Sequence, residues 1–162
     1  MILTPHLLIG AAIGAKTHNL GLIVILALLS HVILDRIPHW DYPTSGIKYF
    51  RQTKNFKTLF IDFLKIAIDA LCGILIVIFL AQKTNQLNNW MFILLGIFFA
   101  VLPDIFLFAS RILCSEKTAD KYTNFHHKFF HGPKTEKEGK ITFLGLTTEI
   151  LMIILTILVF FS

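Results

Sequence analysis

A chain of 162 residues in which 55% are hydrophobic and 15% charged has room for one domain, and too few charges for a soluble one, where about a quarter of residues are charged. Its formal net charge of +5 would suit nucleic acid, but the placement of the charge argues against that partner. Of fifteen Lys and Arg, five lie between Arg36 and Lys57 and seven between Arg111 and Lys140, in segments separating apolar runs, as the positive-inside bias of membrane proteins requires. The expected class is an all-α integral membrane protein: a bundle of four to five transmembrane helices with a short amphipathic cytoplasmic helix, surrounded by membrane lipids and binding no nucleic acid. Cys72 and Cys114, far apart and outside any CxxC, support neither a disulfide framework nor a zinc knuckle.

The first expected helix, 2–15, has Pro5 in its first turn, where a missing N–H costs nothing. It is too short to cross a ~30 Å hydrocarbon core alone and lacks the basic n-region of a signal peptide, so it is expected to be retained. His6, Gly10 and Gly14 recur every four residues and share one face. The glycines read as a seam for close helix packing, with His6 at its end aimed into the bundle, as a functional group or as part of the interface.

The second helix, 20–37, runs into the densest stretch of ligand-type residues, Ser30-His31-Val32-Ile33-Leu34-Asp35-Arg36-Ile37-Pro38-His39-Trp40-Asp41. His31 and Asp35 are spaced i, i+4 and stack on one helix face. Pro38 stops the helix, placing His39 and Asp41 on an extended segment, followed by a basic, polar loop over 42–56. The third helix, 57–82, carries Asp62, Lys65 and Asp69 on one face. Ionisable groups within a membrane helix mark function or face a partner; the competing reading is that Lys65 neutralises the two aspartates as an internal pair.

The fourth helix, 88–113, opens on Trp90, a suitable interfacial anchor, and contains Leu102-Pro103-Asp104, where Pro103 should kink it. A polar helix at 119–131 holds His126, His127 and His131, with the last two as a second i, i+4 pair. The final helix, 142–161, is apolar apart from Glu149, to which no role is assigned.

With the two basic loops in the cytoplasm, His6, His31, Asp35, Asp62, Asp69, Asp104 and the three histidines of 126–131 all fall toward the same membrane face, while His18 falls on the other. A mixture of imidazole and carboxylate favours Zn²⁺, with Mn²⁺ or Fe²⁺ next, over Ca²⁺ or Mg²⁺. The leading ligands are His31, Asp35, Asp104, His127 and His131; His6, His39, Asp41, Asp69 and His126 form a second rank. Asp62 with Lys65 would orient a ligand, or serve as base and phosphate contact, and Asp69 joins them as a catalytic candidate. There are more ligands than one four-coordinate ion can use, so one or two ions are expected, and a pair would activate water against a phosphoester.

These motifs resemble a family of bacterial inner-membrane-bound metal-dependent hydrolases, long catalogued as a domain of unknown function and more distantly similar to zinc-dependent phospholipases C. Thr4-Pro5-His6 with Gly10 resembles the family's early Thr-His before a Gly-spaced helix. Leu102-Pro103-Asp104 resembles its Leu-Pro-Asp, His127 to His131 its His-rich segment, with Gly132 where serine is usual, and Ser30-His31 with Asp35 its Ser-His-x-x-x-Asp. The order departs from the family, since Ser-His-x-x-x-Asp here precedes Leu-Pro-Asp, and Phe106 replaces an acidic residue, for which Asp41 and Asp69 are the candidate substitutes. The resemblance implies hydrolysis of a lipid or amphipathic phosphoester at the inner membrane. The alternatives are a metal or proton transporter, which would need polar groups through the outer half of the bundle, and a non-catalytic membrane scaffold. No nucleophilic Ser or Cys motif supports a covalent route.

Overall fold

Apolar segments poor in hydrogen-bonding side chains satisfy their backbone best as helices, and the chain folds accordingly. The computed structural model describes residues 2–129 and 142–162, and every regular element among them is helical: α1 (Leu3–Lys16), α2 (Leu20–Arg36), α3 (Ser45–Lys48), α4 (Phe50–Thr53), α5 (Phe56–Lys83), α6 (Trp90–Leu113), α7 (Glu116–Phe129) and α8 (Phe143–Phe161). Three segments, Phe56–Lys83, Leu87–Leu113 and Phe143–Phe161, are long and apolar enough to cross a membrane. The segment expected as a plain loop over 42–56 instead holds α3 and α4. Lys54 ends α4 in the left-handed conformation, φ 50°, and the Asn55 side chain caps α5 by accepting the N–H groups of Lys57 and Thr58.

The hub of the bundle is α1. It packs against α6 most extensively, then α5, α2 and α8, and its side chains are buried almost continuously from Thr4 to Ala15. Small residues make this possible. A Cβ added at Gly10 would lie 2.5 Å from the Gly96 carbonyl oxygen and 2.7 Å from Ala100 Cβ, so α1 and α6 meet backbone to backbone, along the seam expected from the glycine spacing. Toward the C-terminal end of α1 the core is apolar, built from Leu8, Ala12, Val77, Leu80, Ile93 and Phe160 among others. On the outside, α2 exposes Ile25, Leu29 and Ile33, and α5 and α8 present similar rows of exposed Leu, Ile and Phe, a surface suited to lipid rather than water.

The opposite end of α1 is polar and is anchored by α5. The first N–H groups of a helix have no intrahelical partner, and Ile2, at the N-cap, offers no side-chain acceptor. Asp69 supplies one, accepting from the N–H of Leu3 at 2.5 Å, the N–H of Thr4 at 3.2 Å, the Thr4 hydroxyl at 2.5 Å and the Tyr42 hydroxyl at 3.3 Å. Burial, and then the Asp69 charge, push the Tyr42 phenol above its ordinary range, so it stays protonated and donates. One to two turns earlier on α5, buried Asp62 accepts the Ile47 N–H at 3.1 Å and Lys65 Nζ at 2.8 Å, while Lys65 also donates to the Pro43 carbonyl at 2.9 Å. Together these bonds hold the 42–48 segment against α5.

Candidate metal centre

Four helices converge at this polar end. His6 comes from α1, His31 and Asp35 from α2, Asp104 from α6 and His126 from α7. His31, Asp35, Asp104 and His126 each offer a ligand atom such that all four lie within 4.8 Å of one another. His31 Nε2 is 3.3 Å from Asp35 Oδ2 and 3.9 Å from Asp104 Oδ1, and His126 Nε2 is 3.7 Å from the same Asp104 oxygen. His6 Nε2 stands 3.2 Å from the other Asp35 oxygen, Oδ1, and its ring lies 4.5 Å from that of His31.

Each position follows from local structure. The i, i+4 spacing stacks Asp35 under His31. Pro103 removes the N–H that would have bonded the Phe99 carbonyl, and beside this break in the α6 ladder the next carbonyl, Ala100, lies 2.8 Å from His31 Nδ1. A carbonyl only accepts, so Nδ1 carries a proton, and Nε2 is turned toward two carboxylates. That contact is satisfied by a positive charge at Nε2, carried either by a second proton or by a metal ion. A backbone carbonyl fixing the far ring nitrogen is also how metal-bound imidazoles are usually oriented. On α7, Ala119 and His126 are seven residues apart on one buried face, and Tyr122, between them on that face, reaches the Pro103 carbonyl at 3.4 Å. Burial and the Asp104 charge raise the Tyr122 phenol above its ordinary range.

The three imidazoles are fully buried, whereas the Asp104 side chain is 16% exposed, which makes Asp104 the side from which the group can be reached. This group could hold a metal ion: its donors are mixed nitrogen and oxygen, and its carboxylates face imidazoles among the described residues.

Not every expected ligand is here. His127, ranked above His126 from sequence, is outside the group because the phase of α7 turns residue 126 to Asp104 and residue 127 about 100° away. His131 lies outside the described residues. His39 and Asp41 form their own pair, Nε2 to Oδ2 at 3.4 Å. Asp69, read as a catalytic group and reserve ligand, instead caps α1, and Asp62 with Lys65 tethers the 42–48 segment, so the internal-pair reading fits these two. Two contributors were not foreseen. The Ala100 carbonyl has no sequence signal beyond its proximity to Pro103, and Tyr122 was detectable only as the residue one turn before His126. Comparison of the chain with protein-family models, curated proteins and solved structures gives no match.

Proposed function

We propose that this protein is a membrane-bound metal-dependent hydrolase with its ion held by His31, Asp35, Asp104 and His126. The observation that carries this reading is the convergence of four ligand atoms within 4.8 Å around an imidazole whose tautomer is set by the Ala100 carbonyl. His6 steadies Asp35 through its second oxygen, leaving Oδ2 for the ion. The donor set suits Zn²⁺ best, with Mn²⁺ or Fe²⁺ as the next choices. When bound, a divalent ion supplies Lewis acidity to a water and to a phosphoryl oxygen. The chain's own part is to exclude bulk water with three buried imidazoles and to leave the Asp104 side open to substrate. A lipid or amphipathic phosphoester is the substrate class suited to a site at the membrane end of the bundle.

In this reading α2, whose 17 residues extend about 25 Å, is a fourth membrane helix. Buried α1 is the core of the bundle, and α7 is an amphipathic helix at the cytoplasmic face of a bacterial inner membrane, beside the basic loops. The apolar packing of Leu8, Ala12, Leu80 and Phe160 favours a hydrolase over a transporter, since no polar route continues from the centre through those residues.

The test is elemental analysis of detergent-purified protein beside His31→Ala/Asp104→Asn. Near-stoichiometric zinc or manganese in the wild type, absent from the group in the double variant, supports the centre and leads to assays on phospholipids and phosphomonoesters. A wild type that binds no metal after reconstitution sinks the hydrolase reading.

A further inference from the structure

The helix that supplies His126 also has a face turned away from the centre. α7 folds back along α6: Arg111 Nη1 donates to Asp120 at 2.7 Å, the Tyr122 hydroxyl reaches the Pro103 carbonyl at 3.4 Å, and His126 lies 3.7 Å from Asp104. At its other end Arg36 Nη2 donates to the Phe129 carbonyl at 3.0 Å, so both ends of α7 are held. Ala119 and His126 form its buried face. At about 100° per residue, Lys117, Lys121 and Lys128 fall within about 40° of one another on the opposite side, and all three are exposed. Between the two faces, Phe125 and Phe129 are 48% and 51% exposed and pack with ring centroids 4.7 Å apart, and Lys128 Nζ lies 5.9 Å from the centre of the Phe129 ring. The two acids of α7 fall on the other flank, where Gln52 donates to Glu116 at 2.6 Å and Arg111 holds Asp120.

The Gln52 bond joins α7 to a second basic stretch. Residues 43–61 carry Lys48, Arg51, Lys54 and Lys57 and no Asp or Glu; the three lysines are exposed, as are Tyr49, Phe56 and Phe60. The end of α6 along which α7 packs exposes Ile105, Phe106 and Leu113, so apolar surface accompanies the charge. Exposed rings beside lysines, next to apolar spans, suit a lipid–water boundary, where rings enter the acyl edge and ammonium groups meet phosphate. We propose that the lysine stripe of α7, with the exposed lysines of 48–57, binds the headgroups of anionic phospholipids. Charge complementarity selects that occupant, since both acids of α7 are engaged on the far flank, and the aromatic flank favours a lipid over a soluble anion. The surface stands apart from the hydrolase reading, because the lysines point away from the centre.

Native mass spectrometry of the detergent-purified full chain, delipidated and then given equal phosphatidylglycerol and phosphatidylcholine, counts the lipids it retains. The expected result is a preference for phosphatidylglycerol that weakens with salt and falls by about fivefold for each lysine replaced in the series Lys117→Gln, Lys121→Gln and Lys128→Gln. These side chains are exposed, so the variants keep the fold. The preference should survive in Lys16→Gln/Lys83→Gln, at the other end of the bundle, and in His31→Ala/Asp104→Asn. Equal retention of the two lipids by the wild type, or a preference that the α7 variants leave unchanged, overturns the proposal. So do three other results: a preference lost in His31→Ala/Asp104→Asn, which places the lipid at the centre; displacement by equimolar glycerol phosphate, which makes the ligand a soluble phosphate; and a dimer lost in the lysine variants, which assigns the face to a second copy of the chain.

Discussion

Asp69 of α5 caps the first turn of α1 through Thr4, accepting that residue's backbone N–H at 3.2 Å and its hydroxyl at 2.5 Å. His6 follows two residues later on the same turn, 3.2 Å from Asp35. The cap therefore fixes the height and rotation at which α1 presents its imidazole to the centre. A carboxylate that sequence alone would assign to chemistry is placed to do this through backbone bonds.

Asp69→Ala should lower stability by about 2–3 kcal/mol, since hydrogen bonds to charged groups contribute about 1.5–3 kcal/mol, and Asp69→Asn by less, because an acceptor oxygen remains. Thermal or denaturant unfolding in detergent measures this. Loss of bound metal at undiminished stability would instead make Asp69 a ligand.

His126 and His127 should separate cleanly. Changes to groups that merely orient a ligand cost about 10–100-fold in metal affinity, so His126→Ala, which removes a direct donor, is expected to cost about 100-fold or more. His127→Ala should leave affinity within a few-fold of wild type. Competition with a chromogenic chelator reads both values, and the reverse order would show that α7 is turned the other way in the working protein.

The α1–α6 contact predicts intolerance of a single methyl group. Gly10→Ala would drive a Cβ against the Gly96 carbonyl and should cost about 1–3 kcal/mol, the usual range for overpacking. Gly21→Ala, where the nearest atom to a new Cβ is Asn19 Oδ1 at 3.5 Å, should cost nothing and is the control. A neutral Gly10→Ala would mean that the two backbones stand further apart.

Asp62→Ala should loosen the 42–48 segment, leaving the Ile47 N–H unmatched at a cost of about 1–3 kcal/mol, and Lys65→Met should do so less, because Asp62 keeps its bond to Ile47. Faster tryptic cleavage at Lys48, Arg51 or Lys54 is the readout. If both variants keep their metal, their role is in tethering; metal loss with unchanged cleavage would return them to the centre.

Much of the centre was legible because helical spacing is strict. His31 and Asp35 had to share a face, and Pro103, lacking an N–H, had to leave a carbonyl of the α6 ladder unmatched beside Asp104. The choice between His126 and His127 was not legible, since it depends on where α7 begins and how it docks, and one residue of phase turns the face by about 100°. Asp69 misled for a different reason: a carboxylate on a membrane helix looks the same in sequence whether it faces an ion or the free N–H groups of a neighbouring helix. The glycine spacing revealed the seam on α1, but its short length hid the fact that four other helices would enclose it. Glu149 stood out in composition alone, and the close passage of the 38–41 backbone over Gly145, one turn earlier on α8, had no signal in the sequence.

The enclosure of α1 also sets an order of assembly. At 14 residues, or about 21 Å, it leaves the ribosome before the helices that bury it, and those partners lie up to about 150 residues further along the chain. Contacts so distant in sequence form slowly, and until they form, the Ala/Gly surface of α1 has nothing to pack against. Nascent chains that end before α8 should therefore be cleaved by membrane proteases faster than the full chain. The residues His6, His31, Asp35, Asp104 and His126 are all made before α8, whereas the enclosure of α1 is complete only with it.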